Sequence, residues 1–355
     1  MLSLIGYELK KIFGKRFVLI SIALILFLSF IFSFSSLNSM YARDGSNEGS
    51  GRSAVKIDKE IASRYAGELN DEKVQKMLAD FKPDQVMPGL NVQALYFNST
   101  QSAIYSLFSD IEGNWNGRTV ADVFGVENPK IGYTSGWHIT SRNLAKVLMA
   151  LSFIIILMIA PVYSGEYGGV DALILSSKYG KTKCATAKVI AAFIASLSMI
   201  AAILAFHLIF ALIVYGKDGL DSSILFAAQQ FSSGYIPFNI TCGTVIKYQI
   251  LLAFLNGIAI TGISLVISAL SKEKLISFAL SAAIFIAPIL IPLTKTNQRL
   301  LVLTPVYFTQ YISILSVEQT AKAELYAVWA IPVALILGSL GAIFSRKLFA
   351  KHQVS

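Results

Sequence analysis

Apolar residues fall along this chain in six long runs, separated by polar stretches of very unequal length. Phe17 to Ala42, Val147 to Gly165, Val189 to Gly216, Tyr248 to Ser271, Leu275 to Thr294 and Leu325 to Ser345 contain no Asp, Glu, Lys or Arg. Each holds at least 19 residues, and a helix needs about 20 to cross the hydrocarbon core of a bilayer. The pattern predicts an all-α polytopic membrane protein with six transmembrane helices, at 17–37, 144–165, 189–216, 248–271, 275–294 and 325–345. Ahead of the first run, LSLIGYELKKIFGKR sets Leu2, Ile5, Leu9 and Ile12 at helical spacing with Phe13 beside them. Glu8, Lys10, Lys11 and Lys15 then occupy other positions around the helix, which suits an amphipathic helix over 1–16 lying in the membrane interface. The first apolar core is longer than that of a secretory signal and no A-x-A site follows it, so it reads as a retained anchor.

The polar stretches differ in kind. Residues 38–143 are long enough for a small extracytoplasmic domain between the first two spans. Within it RDGSNEGSGRS reads as a flexible linker. Asn70 or Asp71 can cap a following helix whose Val74, Met77 and Leu78 form one face. Residues 166–188 form a loop, 272–274 a turn, 346–355 a tail, and 217–247 and 295–324 two further loops. The last two contain SILFAAQQFSSGYIPFNIT and LLVLTPVYFTQYISIL, apolar enough to rest on the interface or enter it partway. Irregular backbone at that depth must be shielded by protein or face a water-filled cavity. Pro161, Pro288, Pro292 and Pro332 are expected to kink spans. No internal repeat is visible, which weighs against an inverted-repeat transporter.

Composition narrows the class further. Of 355 residues, 55% are hydrophobic and 14% charged, whereas a soluble domain carries about 25% charged residues. The net charge is +9. Placing the N terminus in the cytoplasm puts 13 of the 30 Lys and Arg in 52 residues of inside sequence, as the positive-inside rule requires. Both termini are therefore expected in the cytoplasm, with the chain multi-pass in the plasma membrane. The positive charge is a topology signal, and no nucleic-acid partner is needed to explain it. Cys184 then falls inside and Cys242 outside, so they cannot pair, and no metal-binding pattern is present.

The 166–188 loop contains LSSKYGKT at 175–182, one substitution from G-x-x-x-x-G-K-[ST]. Leu175 replaces the first glycine, whose freedom lets backbone N–H groups converge on phosphates. Twenty-three residues between two spans also leave no room for the strand and helix that such a loop joins. The run suits a short amphipathic helix instead. Tyr167, Val170, Leu173 and Ile174 recur at three- and four-residue steps, Glu166 and Asp171 lie early, where acid favours the helix dipole, and Gly180 ends it. Lys178, Lys181 and Lys183 follow. Such a helix lies on lipid or docks into another protein; the plainer reading is a surface connector whose lysines set topology. Among intramembrane polar residues, His207 is a functional candidate by default, and Asn256 and Thr261 line a pathway or bridge helices. A lone His without acidic partners is the signature of a packing residue. No catalytic constellation is visible. Asn98 (NST) and Asn239 (NIT) fit the glycosylation acceptor pattern, a short match common by chance.

Glu166 at the end of the second span, Gly168 and Gly169, the LILSS stretch Leu173 to Ser177, the basic Gly180 to Lys183 and Lys188 opening the third span together resemble a type-2 ABC transporter permease. Ser177 departs from the pattern, since many relatives have proline there. The interfacial helix, six spans and large domain between spans one and two fit one subgroup of that family. The resemblance implies a non-enzymatic bacterial membrane subunit that binds no cofactor itself. ATP and Mg would be handled by a partner ABC ATPase subunit. A second permease subunit, identical or related, would complete a pathway through the lipid bilayer for an amphipathic substrate such as a peptide, drug or lipid. Glu166, Tyr167, Gly169, Val170, Asp171, Leu173, Ile174 and Lys178 would form the coupling helix that contacts the ATPase, and His207, Asn256 and Thr261 would face the pathway. A different class, a non-transporting sensor whose extracytoplasmic domain binds a ligand, accounts for the same layout.

Overall fold

The computed structural model describes residues 1–45, 47–82, 97–125, 128–167, 169, 171–226, 239–315 and 326–351. Among these, five helices are long and apolar enough to cross a membrane. The amphipathic pattern at the N terminus folds as α1 (Leu2–Phe13), and α2 (Arg16–Asn38) follows after Gly14 and Lys15. A polar domain intervenes before α7 (Ser135–Ile159), which continues as α8 (Pro161–Ser164). After the loop containing α9 (Asp171–Ser176) come a π-helical turn at Gly180–Cys184 and α10 (Ala185–Tyr215). The helix α11 spans Cys242–Leu270, and the last, α16, spans Ala330–Lys351 after a 3-10 turn at Ala327–Trp329.

The fifth apolar run behaves differently. It forms α12 (Lys274–Ile286) and a 3-10 turn, Ala287–Leu290, that contains Pro288. At about 1.5 Å per residue the Lys274–Leu290 segment falls short of the roughly 30 Å hydrocarbon core. Pro288 ends this helix, whereas kinking was expected, and Pro292 lies beyond its end. Pro332 sits in the first turn of α16, where a missing N–H removes no intrahelical bond.

Pro161 does break its helix, and the break is repaired from outside. The Ser268 hydroxyl of α11 donates to the Ala160 carbonyl at 2.5 Å and accepts from the Tyr163 N–H at 2.9 Å and the Ser164 N–H at 3.2 Å. Such substitution by a neighbouring serine is what lets a broken helix persist away from water.

α7 and α11 are the inner helices, with 67% of their most apolar windows buried, against 22% for α2 and 28% for α16. The closest helix pair is α11 with α16. A Cβ on Gly341 would stand 2.3 Å from the Gly262 Cα, and one on Gly262 would stand 2.5 Å from the Leu337 carbonyl oxygen. Small residues allow this backbone approach, the usual means of joining helices that lack a hydrophobic driving force in lipid.

The polar domain corrects one expectation. The RDGSNEGSGRS run forms a hairpin, β1 (Tyr41–Asp44) against β2 (Asn47–Ser50), with Asp44 opposite Asn47. Gly45 supplies the positive φ of 61° that the turn requires. The hairpin is held by α3 (Arg52–Arg64), whose Ala54, Ile57 and Ile61 bury Ala42. Local polarity suggested a linker because one apolar residue in β1 is enough when a helix covers it. Beyond α3, β3 (Gly67–Glu68) pairs with β4 (Lys130–Ile131), and α4 (Asp71–Asp80) begins with the Asn70 side chain accepting from the Lys73 N–H at 2.9 Å. Val74, Met77 and Leu78 are buried, as the pattern predicts. They pack against α5 (Ser99–Phe108), and α6 (Val120–Phe124) places Phe124 on Phe226 at 4.8 Å between ring centres.

Near α11 the 295–324 run returns as α13 (Gln298–Leu301), α14 (Pro305–Phe308) and α15 (Tyr311–Leu315), with α14 and α15 buried against α11. Most of the other semi-apolar loop segment, 227–238, lies outside the described residues.

Candidate functional site

The end of the bundle that carries α1 contains a buried ion network. Lys188, one turn into α10, has no exposed side-chain surface. Its Nζ donates to Glu8 Oε1 at 2.8 Å and to Glu166 Oε1 at 2.5 Å. Lys11 donates to the same Glu166 oxygen from the rim. Glu166 is 1% exposed, and its Oε2 has no hydrogen-bond partner among the described residues. A charge removed from water this completely is tolerable only when paired. The network therefore fastens α1, the loop after α8 and the start of α10 to one another.

This revises the reading of α1. Ile5, Glu8 and Ile12 lie on one face by their three- and four-residue steps, so Glu8 points inward while Leu2 is 85% exposed. The signal was present in the sequence: an acid within an apolar stripe, and a lysine opening a span without a local partner. Periodicity alone cannot say that the two meet.

The expected helix from Gly165 onward is shorter than predicted. Glu166 and Gly169 lie in turns, and the helix α9 starts at Asp171. Tyr167 is drawn inward, donating to the Ala269 carbonyl at 2.8 Å and stacking with Phe349. Burial of Glu166 and Tyr167 pulls the chain off the line of an exposed helix. Gly168 and Val170 lie outside the described residues. From α9 onward Leu173 is 72% exposed, Ile174 half-buried and Leu175 buried. Ser176, Ser177, Lys178 and Tyr179 are exposed. Gly180 then passes so close to the Ile174 carbonyl that a Cβ would stand 1.6 Å from its oxygen. Among the described residues, LSSKYGKT is entered from α9 rather than from a strand.

The three intramembrane polar candidates lie inside the bundle. His207 Nε2 donates to the Thr140 carbonyl at 3.1 Å, so Nδ1 accepts from the Ser29 hydroxyl at 3.0 Å. This imidazole joins α10 to α7 and α2. Asn256 donates to Ser152 Oγ at 2.7 Å, joining α11 to α7, and Thr261 donates to Ser196 Oγ at 2.7 Å, joining α11 to α10.

A second polar centre, absent from the sequence reading, lies where the polar domain meets the bundle. Asp58 of α3 is 3% exposed. Its carboxylate accepts from the Ser99 N–H at 2.9 Å, from the Ser99 hydroxyl at 2.7 Å and from the Ser135 hydroxyl at 2.9 Å. Burial pushes its carboxyl above the usual carboxylate range, and the Ser99 and Ser135 bonds oppose that shift. A cavity of about 520 Å³ opens beside it, bordered by Tyr41, Phe97 and Arg142. Asn98 of the NST match is 4% exposed and caps α5 by accepting from the Gln101 N–H at 2.8 Å, so its amide is committed internally. Among the described residues, no group of three or more His, Cys, Asp or Glu is placed to hold a metal ion. Cys184 and Cys242 are both free thiols.

Compared with known proteins, the chain matches no family model, no curated protein and no solved structure.

Proposed function

We propose that this chain is the permease subunit of an ATP-driven exporter, moving an amphipathic substrate with energy from a separate ABC ATPase. One observation carries the reading. The exposed Leu173 and Ser176 to Tyr179 lie in the segment between Glu166 and Lys188, and those two residues join α1 in a buried ion network. An ATPase seated on Leu173 and Lys178 would push on α9, and Glu166 would pass that movement to Lys188 as a rigid connection between spans. In this reading the α1 end is cytoplasmic, six helices cross the membrane with α12 as the short one, and two such subunits frame the pathway. Glu166 then works beneath the contact rather than in it.

The test is co-expression with a candidate ABC ATPase, followed by purification of the pair and measurement of ATP-dependent export. Leu173→Asp and Lys178→Glu should each weaken association at least about tenfold, roughly 1.4 kcal/mol, with unchanged membrane insertion. Unchanged association in both variants would remove the coupling role.

The cavity beside Asp58 favours a second reading, a ligand sensor without transport. Ligand binding at that cavity, together with no ATPase capture at all, would select it.

A further inference from the structure

Positive charge at the α1 end exceeds what the nearby carboxylates neutralise. Lys15 and Arg16 stand where α1 passes into α2, and Lys274 opens α12. None of the three forms an ion pair among the described residues. Glu8 and Glu166 are already occupied by Lys188 and Lys11, and Glu273 is exposed. The Lys274 stem folds over Gly165, where a Cβ would come 3.3 Å from its Cε. Lys15 is half-buried. Burial, with Lys11, Lys274 and Lys188 nearby, pushes its ammonium down to about 8, and Glu166 opposes this weakly.

These cations rim a groove of about 600 Å³ whose wall is apolar, formed by Phe17, Leu157, Leu275 and Phe278. Phe17 is 40% and Leu275 74% exposed, so the groove opens sideways, at the ends of apolar helices. α2 and α12 both begin there without a side-chain cap, and the positive end of a helix favours an anion. A soluble anion would use the cations but not the wall. A neutral lipid would use the wall but not the cations.

We propose that this groove binds an anionic phospholipid, its phosphate among Lys15, Arg16 and Lys274 and one acyl chain along Phe17, Leu157, Leu275 and Phe278. The lipid supplies the counter-charge that the fold leaves out, as basic pockets between membrane helices do for acidic headgroups. The site needs no ATPase, so it stands or falls apart from the exporter reading.

Native mass spectrometry of the full chain released from detergent, with phosphatidylglycerol or phosphatidylcholine added, tests it. Phosphatidylglycerol should be retained at least about tenfold better, and the Lys15→Gln/Arg16→Gln/Lys274→Gln variant should bring the two lipids to near parity. The Lys347→Gln/Lys351→Gln variant, altered at the far end of α16, should keep the preference. If the triple variant fails to insert, Lys274→Gln alone should still cut the preference about threefold. Equal retention by the unaltered chain, or a preference that survives loss of the three cations, overturns the site. Displacement of the lipid by millimolar inorganic phosphate would do the same, by showing that the apolar wall adds nothing. So would efficient Leu275→Cys cross-linking between two copies in phosphatidylglycerol nanodiscs, because a second chain would then cover the groove.

Discussion

The Lys188 ammonium lies 2.5 Å from Glu166 Oε1, and both side chains are essentially excluded from solvent. With Glu8 on its other side at 2.8 Å, Lys188 is the one cation among these three groups. Removing it leaves buried Glu8 without a cation and Glu166 with only Lys11 at the rim, whereas removing either carboxylate leaves Lys188 one acidic partner. Lys188→Met should therefore cost about 3–5 kcal/mol, clearly more than Glu8→Gln or Glu166→Gln. Combining all three changes should recover much of the loss, since the only charge left without its partner is Lys11, which reaches solvent. Thermal unfolding in detergent reads the order; equal costs for the three single variants would contradict it.

Asp58 gives the polar domain a pH dependence of defined sign. Its folded pKa is raised, so the folded state holds the proton more tightly than the unfolded chain does. The stabilisation is complete below the ordinary carboxylate pKa of about 4. It is lost as pH rises through the raised folded value. Asp58→Asn should flatten that part of the profile, as followed by limited proteolysis of the 41–133 region between pH 4 and 8.

Two glycines separate close packing from open surface. Gly341→Val drives a side chain into the Gly262 backbone, and overpacking of that kind costs about 1–3 kcal/mol or more. Gly6, inside α1, has nothing within 4 Å of an added Cβ. Gly6→Ala should thus be neutral or stabilising by up to about 1 kcal/mol. Unfolding midpoints of the two variants should move in opposite directions or differ by that sum.

Ser268→Ala deletes the hydroxyl that satisfies the break at Pro161. The Tyr163 and Ser164 N–H groups lose that acceptor, while the Ala160 carbonyl keeps the Ser164 and Ser277 hydroxyls, and each buried unsatisfied group costs about 1–3 kcal/mol. Hydrogen exchange at Tyr163 and Ser164 should accelerate in this variant while α16 stays protected. Unchanged exchange would mean that another group or water supports the break.

What could be read in advance depended on how far apart the determining residues lie. The Asn70 cap, the Val74, Met77 and Leu78 face and the apolar stripe of α1 are each set within one or two turns, so spacing and side-chain chemistry suffice. The 41–50 hairpin was missed because its stability comes from α3 rather than from its own polar residues. The 166–176 helix was read too long because Tyr167 and Glu166 answer to Ala269 and Lys188 rather than to helical periodicity. Asp58 carries no local signal of its role, because the groups that close around it, Ser99 and Ser135, lie 41 and 77 residues away.

The sequence by itself determined that this chain is mostly helical and apolar enough to span a membrane several times. Runs without charge cannot be hydrated at length, and their backbone must satisfy itself as helix. Only the tertiary structure decided which charges are buried together. Glu8 and Lys188 are 180 residues apart, and no local period relates them. Their meeting depends on α1 folding back against α10, which brings opposite charges into a space that water cannot enter.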